Sequence, residues 1–167
     1  MKHIKITAEA VEKAQQKAKR MGTLKNSITK GQGNVAGFVG EAIVSEALSV
    51  AAENTFDYDM RYKNFKIDVK TKRVNTPPRP SYECSVAALN TKQECDFYVF
   101  TRVLNTLKEG WILGYLPKEE YFKMATLYKK GDIDPSNGWK VSTDCYNVPI
   151  YKLKNIQELI NETKARA

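Results

Sequence analysis

A mixed α/β domain, a central mixed sheet flanked by helices, is the fold class that this sequence predicts. Three observations predict it. Helical patterning fills residues 7–21 and 35–52. Segments rich in β-branched and aromatic residues follow over 57–117. Helix, strand and helix signals then close the chain. A length of 167 residues makes one domain the default and buries a core without staples. Residues 1–34 read as an N-terminal helix and loop, 35–125 as the core, and 126–167 as a C-terminal loop, strand and helix.

Each element has a local reason. In "TAEAVEKAQQKAKRM", residues 7–21, Thr7 is the N-cap and Glu9 sits in the first turn. Lys17, Lys19 and Arg20 lie toward the other end, where Gly22 is the stop. The Ala-rich face is weakly apolar, so this helix covers the core. "TLKNSITKGQGN", residues 23–34, is polar with two glycines and reads as a loop, with Lys25 and Lys30 available to a phosphate backbone. In residues 35–52 apolar side chains fall nearly all round the helix, which marks burial on most sides. Glu41, Ser45 and Glu46 are its only polar residues mid-helix. A carboxylate there either needs a partner or metal, or lies on a narrow solvent-facing strip and does nothing.

"DYDMRY" (57–62) and "FKIDVKTK" (65–72) have strand character, joined by a turn with Lys63 and Asn64 at its centre. "VNTPPRPS" must be a loop because of its three prolines. "SYECSVAAL" (81–89), "CDFYVFTRVL" (95–104) and "KEGWILGYLP" (108–117) read as strands, the last two as a hairpin. "KEEYFKMATLYKKG" (118–131) reads as a helix, "DIDPSNG" as a loop, "VPIYKL" (148–153) as a strand, and 154–167 as a helix capped by Asn155. No internal repeat is present.

Bulk chemistry narrows the function. Twenty-seven Lys+Arg against nineteen Asp+Glu give a net charge of +8, which suits an anionic partner, nucleic acid before an acidic membrane surface. Cys84, Cys95 and Cys145 are odd in number and widely spaced, and His3 is the only histidine. Zinc sites built from Cys and His, Ser-His-Asp triads, Cys-His pairs and histidine-based nucleases are therefore disfavoured. If the protein is a hydrolase, its chemistry comes from carboxylates, lysines and metal. Free thiols point to a reducing, cytoplasmic setting. No apolar leader or membrane span is read from the sequence.

The most charged stretch is "FDYDMRYKNFKIDVKTKRV", residues 56–74, with three aspartates and four lysines among aromatic and β-branched residues. Alternation puts Asp57, Asp59 and Arg61 on one face of the first strand, and Asp68, Lys70 and Lys72 on one face of the second. Tyr58, Met60, Ile67, Val69 and Thr71 form the opposite, core-like face. The turn sets Asp59 opposite Asp68, and Asp57 opposite Lys70. Facing carboxylates repel unless a cation sits between them. A divalent metal supplies that charge, as does the Lys70 ammonium. A solvated face laced with ion pairs is the plain alternative.

"YDMRYKNFKIDVKTK" resembles the core motifs of the PD-(D/E)XK nuclease superfamily, the restriction-endonuclease-like fold. There an Asp on one strand is followed, after a short turn, by (D/E)-x-K on the next. Asp59 matches the Asp and Asp68-Val69-Lys70 the D-x-K. Gly40-Glu41 matches a Gly-Glu that often precedes them on a helix. The similarity spans roughly residues 36–125. Asp57 competes with Asp59 for the first role, and no Pro precedes Asp59.

The resemblance implies Mg²⁺-dependent hydrolysis of DNA phosphodiester bonds, with Mn²⁺ as a substitute. It makes Asp59 and Asp68 metal ligands, Glu41 an accessory ligand or water-orienting carboxylate, and Lys70 the catalytic lysine. Lys72, Arg73, Arg79 and Lys30 are the candidate DNA contacts. A catalytically inactive nucleic-acid-binding protein on the same fold is the second expectation. The small chain favours recognition of DNA structure or weak sequence preference, and a homodimer would suit cutting both strands.

Overall fold

The computed structural model describes residues 1–21 and 34–165, the last four of these by backbone alone. In chain order the elements are β1 (Lys2–Lys5), α1 (Ala8–Met21), α2 (Asn34–Leu48), β2 (Met60–Tyr62), β3 (Phe65–Val74) and β4 (Glu83–Ala87). They continue with β5 (Phe97–Leu104), β6 (Glu109–Pro117), α3 (Lys118–Met124), β7 (Thr126–Tyr128), β8 (Cys145–Pro149) and α4 (Ile156–Ala165). Strands β5 and β6 are apolar on both faces because protein covers both. They pair antiparallel, and β3 lies parallel to β5. The resulting mixed sheet has the order β1-β6-β5-β3-β2, and β4-β8-β7 form a second, smaller sheet.

Alternation sorts the core into two layers. On one side Ile43, Val44 and Leu48 of α2 and Ile156 and Leu159 of α4 pack on Met60, Ile67, Val69, Val99 and Ile112. On the other, Tyr98, Phe100, Leu113 and Leu116 meet Cys84, Val86 and Val148 of the second sheet and Tyr121 of α3. Tyr121 donates its hydroxyl hydrogen bond to backbone oxygens of Cys84 and Tyr146, at 2.9 and 2.7 Å, pinning α3 to that sheet. The fold is thus mixed α/β with helices against a central mixed sheet.

The β2–β3 hairpin has the register the sequence implies: Met60 pairs Ile67, Arg61 pairs Lys66 and Tyr62 pairs Phe65. Lys63 takes a φ of 56° at the turn, the positive value that a two-residue hairpin loop asks of a central residue. Thr7 caps α1, accepting from the Ala10 amide at 3.2 Å, and Asn155 caps α4, accepting from Gln157 at 2.9 Å.

Several expectations are corrected. His3, expected from the sequence at a mobile chain end, is held in place. It sits in β1, stacks on Trp111 at 5.1 Å and meets Glu109 at 2.9 Å. Helix α2 stops at Leu48, before Ser49 with φ of 55°. The expected helix over 118–131 ends at Met124, because Thr126–Tyr128 pair with β8 instead. The strand expected over 148–153 instead runs Cys145–Pro149 as β8, while Ile150–Lys152 form a 3₁₀ turn. Asp57 lies ahead of β2 and is not part of the ladder opposite Lys70. Tyr58 turns away from Met60 and packs in the layer of Tyr98 and Cys84. The second sheet was not expected. It arises because the crossover from β3 to its parallel neighbour β5 runs through β4 rather than a helix.

Helix α2 approaches the sheet most closely at Gly40. A Cβ there would lie 2.6 Å from Thr101 Oγ1 and 2.9 Å from Thr71 Cγ2. Those threonines, whose hydroxyls hydrogen-bond at 2.7 Å, bridge β3 and β5 beneath the helix. Rotating Thr71 does not relieve the clash, since both its γ atoms crowd the position. Gly40→Ala is therefore expected to cost about 1–3 kcal/mol, a drop of about 3–10 °C in the thermal midpoint. An unchanged midpoint in a calorimetric scan would mean α2 has slack here.

Candidate functional site

The Gly40 contact fixes the next residue, Glu41, at the mouth of a cleft of about 750 Å³. β3 supplies the floor with Asp68, Lys70 and Lys72, Asp59 arrives from just before β2, and β4 supplies part of the opposite wall with Glu83, Cys84 and Ser85. The charged face of β3 does not look out to bulk water; the second sheet and the segments around it cover it.

Each charged side chain has a definite place. The Asp59 backbone amide donates to Ile67 O at 2.9 Å, and its Oδ2 accepts from the Val69 amide at 2.7 Å. Asp57 Oδ1 accepts from the Glu94 amide at 3.1 Å, and Asp57 does not line the cleft. The two aspartates that the sequence left in competition are thus separated: Asp59 joins the site and Asp57 holds a loop. Asp68 is 4% exposed. Its Oδ2 lies 2.7 Å from Lys70 Nζ in a buried ion pair, and that ammonium is its one close polar partner among the described residues. Lys70 Nζ donates to Gln93 Oε1 at 3.0 Å and stands 5.8 Å over the Tyr98 ring. Glu41 Oε2 is held by the Asn54 side-chain amide, and by Lys17 at 3.5 Å.

These carboxylates feel one another. Burial pushes Asp59 well above the usual carboxylate range, and the charges of Asp68 and Glu41 push it further. Glu41 is raised first by burial, against the pull of Lys17 and Asn54, with Asp68 adding to the rise. Three acidic groups therefore share a neighbourhood, with Lys70 beside Asp68 and Lys17 beside Glu41. Enclosed carboxylates that stay close under such a load are short of positive charge. Among the described residues, no three Asp, Glu, His or Cys side chains stand close enough to form a protein-only metal cage.

The remaining predicted contacts divide. Lys72 lies in the cleft, 5.1 Å from the Trp139 ring. Arg73 is exposed at the cleft, donating to Asn105 O at 3.1 Å. Arg79 is elsewhere, 5.9 Å from the Tyr82 ring, and does not line it. Lys30, with Lys25, lies outside the described residues. Sequence reasoning missed Gln93, Asn54 and Arg102 in these surroundings. Gln93 and Asn54 sit in irregular segments with no periodic signal, and Arg102 is hidden in an apolar run whose pairing with Lys72 comes only from the parallel register. Cys84, Cys95 and Cys145 are free and buried. Among the described residues no helix is long and apolar enough to cross a membrane.

No model of a known protein family matches the chain, and neither does any curated protein sequence.

The Asp59 shift has a signed consequence. A carboxyl raised on folding binds its proton more tightly in the native state. Its stabilising effect is full below the unfolded value near pH 3.9 and is lost as pH rises through the folded value. Metal-free Asp59→Asn is thus expected to melt above the wild type at pH 7–8, by about 2–4 °C for each kcal/mol relieved. The gap should close as the pH falls toward about 4. Equal midpoints at both pH values would show that Asp59 bears its charge without cost.

Proposed function

We propose that this protein is a Mg²⁺-dependent nuclease that hydrolyses DNA phosphodiester bonds, built on the plan of the PD-(D/E)XK superfamily. One observation carries the reading. Asp68 Oδ2 is buried with the Lys70 ammonium as its one close partner among the described residues, in a cleft that also holds the carboxylates of Asp59 and Glu41. Three enclosed carboxylates with two lysines beside them carry surplus negative charge, and a hard cation is a natural partner for it.

The donor set fits Mg²⁺ in that sense. Mg²⁺ takes hard oxygens and is usually held through one or two carboxylates together with substrate phosphate, so a protein-only cage is not required. Asp59 and Asp68 would hold it, with Glu41 as accessory ligand or water-orienting group. When bound, it supplies Lewis-acid polarisation of a phosphoryl oxygen. The rest is done by the chain. Gln93 holds the Lys70 ammonium beside Asp68, where it can donate to a phosphate oxygen or orient the attacking water and offset charge built up in the transition state. Asn54 and Lys17 fix the Glu41 carboxylate. The Val69 amide fixes Asp59. The net charge of +8 favours approach of an anionic strand. A homodimer would present two such clefts to the two strands of a duplex.

Binding without cleavage is the second reading, favoured by the net charge of +8, which draws an anionic strand whether or not it is cut. Incubation with plasmid and linear DNA separates the two. Cleavage is expected with Mg²⁺ or Mn²⁺ and not with chelator, and Lys70→Ala or Asp68→Ala should each lower the rate about 10²–10³-fold. Metal-independent cleavage, or variants that cut as fast as wild type, would refute the mechanism.

A further inference from the structure

Beyond the carboxylates, the same cleft carries a second set of features that a nuclease reading does not by itself require. Lys72 and Arg102 are neighbours in the parallel β3–β5 register, and both line the cleft. Arg102 is 3% exposed, and its Nη2 donates to Glu83 O at 3.0 Å. Burial lowers the affinity of Lys72 for its proton, and the charge of Arg102 lowers it again. Two enclosed cations side by side stay charged at a cost unless an anion joins them.

The carboxylates facing them do not meet that need. Among the described residues, neither Lys72 nor Arg102 has a carboxylate within ion-pair distance. Asp134 attracts Lys72 from further off, but its Oδ1 is taken by the Ser136 amide and hydroxyl, at 2.8 and 2.7 Å. Glu83 is raised by burial and accepts from the Tyr128 hydroxyl at 3.1 Å.

Aromatic side chains flank this row of charge. Phe56 is 75% exposed and lies beside the Lys70 end, where its carbonyl accepts from Gln93 at 2.9 Å. Trp139 is 41% exposed and lies beside Lys72 at the other end. Both line the cleft. Large rings held open to solvent at the two ends of a cationic floor have the form of stacking platforms. Lys70 and Lys72 are alternate residues on one strand, about 6.6–6.8 Å apart along it, close to the spacing of successive phosphates on one nucleic-acid strand. A cleft of about 750 Å³ between two sheets takes a few nucleotides of one strand. With Arg102 only 3% exposed on that floor, a flexible single strand is better suited to reach it than a stiff duplex.

We infer that the cleft is a binding track for single-stranded DNA. Lys70 would lie at the phosphate to be cut, Lys72 and Arg102 at the next one, and Phe56 and Trp139 under the flanking bases. The DNA partner rests on the nuclease reading; the preference for one strand rests on the cleft. A substrate with an unpaired end, flap or gap follows from it.

Binding without divalent ions tests this apart from catalysis. Fluorescence anisotropy would compare a labelled single-stranded oligonucleotide with its duplex, in chelator, across a salt series. Single strand should bind at least tenfold tighter. Trp139→Ala and Phe56→Ala should each weaken it about 5- to 100-fold. Lys72→Gln should flatten the salt slope by about 0.7. Melting curves would confirm that each variant folds, with Trp139→Phe, which keeps a ring, restoring most of the affinity. Equal or tighter duplex binding, or folded variants with unchanged affinity and slope, would overturn the inference. Single-strand binding that depends on these residues in a protein that cuts nothing would support the track while refuting the nuclease.

Discussion

The structure depends on one electrostatic constraint: Asp68 is buried in an ion pair with Lys70, in the company of Asp59 and Glu41. A lysine two residues away on the same strand balances one negative charge. Lys17, at 3.5 Å, offsets part of the Glu41 charge, and the remainder lies in a cleft where burial raises its cost. Folding normally removes such a load by pairing or by replacement with apolar groups. Here the surrounding parts instead hold it in place. Gln93 fixes Lys70, Asn54 and Lys17 fix Glu41, and the Val69 amide fixes Asp59. An arrangement that carries such an electrostatic cost and is anchored from four segments has the character of a functional site.

The scaffold explains how the charges come together. Only a glycine lets α2 settle on the Thr71–Thr101 pair, so the helix that carries Glu41 is seated against the strand that carries Asp68. The crossover from β3 to β5 passes through β4 and pairs it with β8, roofing the polar face of β3. One wall of the cleft is therefore a by-product of the parallel connection. It also places Lys72 beside Arg102, since parallel register aligns them. The carboxylate end and the cationic end of the cleft are two consequences of one topology.

Much of this was legible in the sequence, for local reasons. Alternation and the two-residue turn fixed which residues of the β2–β3 hairpin face each other, and the apolar circumference of α2 announced its burial. Thr7 and Asn155 acted as caps where their chemistry put them. What was not legible was tertiary. Residues 126–128 continue a helical pattern and become a strand only because β8 is there to pair with them. Whether Asp57 or Asp59 enters the site turns on the Glu94 amide, 37 residues away from Asp57. Gln93 and Arg102 gain their meaning from neighbours that no spacing rule connects to them.

The central claim is that Asp59 and Asp68 are held together for a divalent cation. Calorimetric titration of Mn²⁺ into the DNA-free protein tests it most directly. The account predicts specific binding of a divalent ion by the wild type, weakened roughly tenfold or more in Asp68→Asn and in Asp59→Asn, with Asp57→Asn binding as the wild type does. No saturable binding, or binding that survives both substitutions, would contradict it.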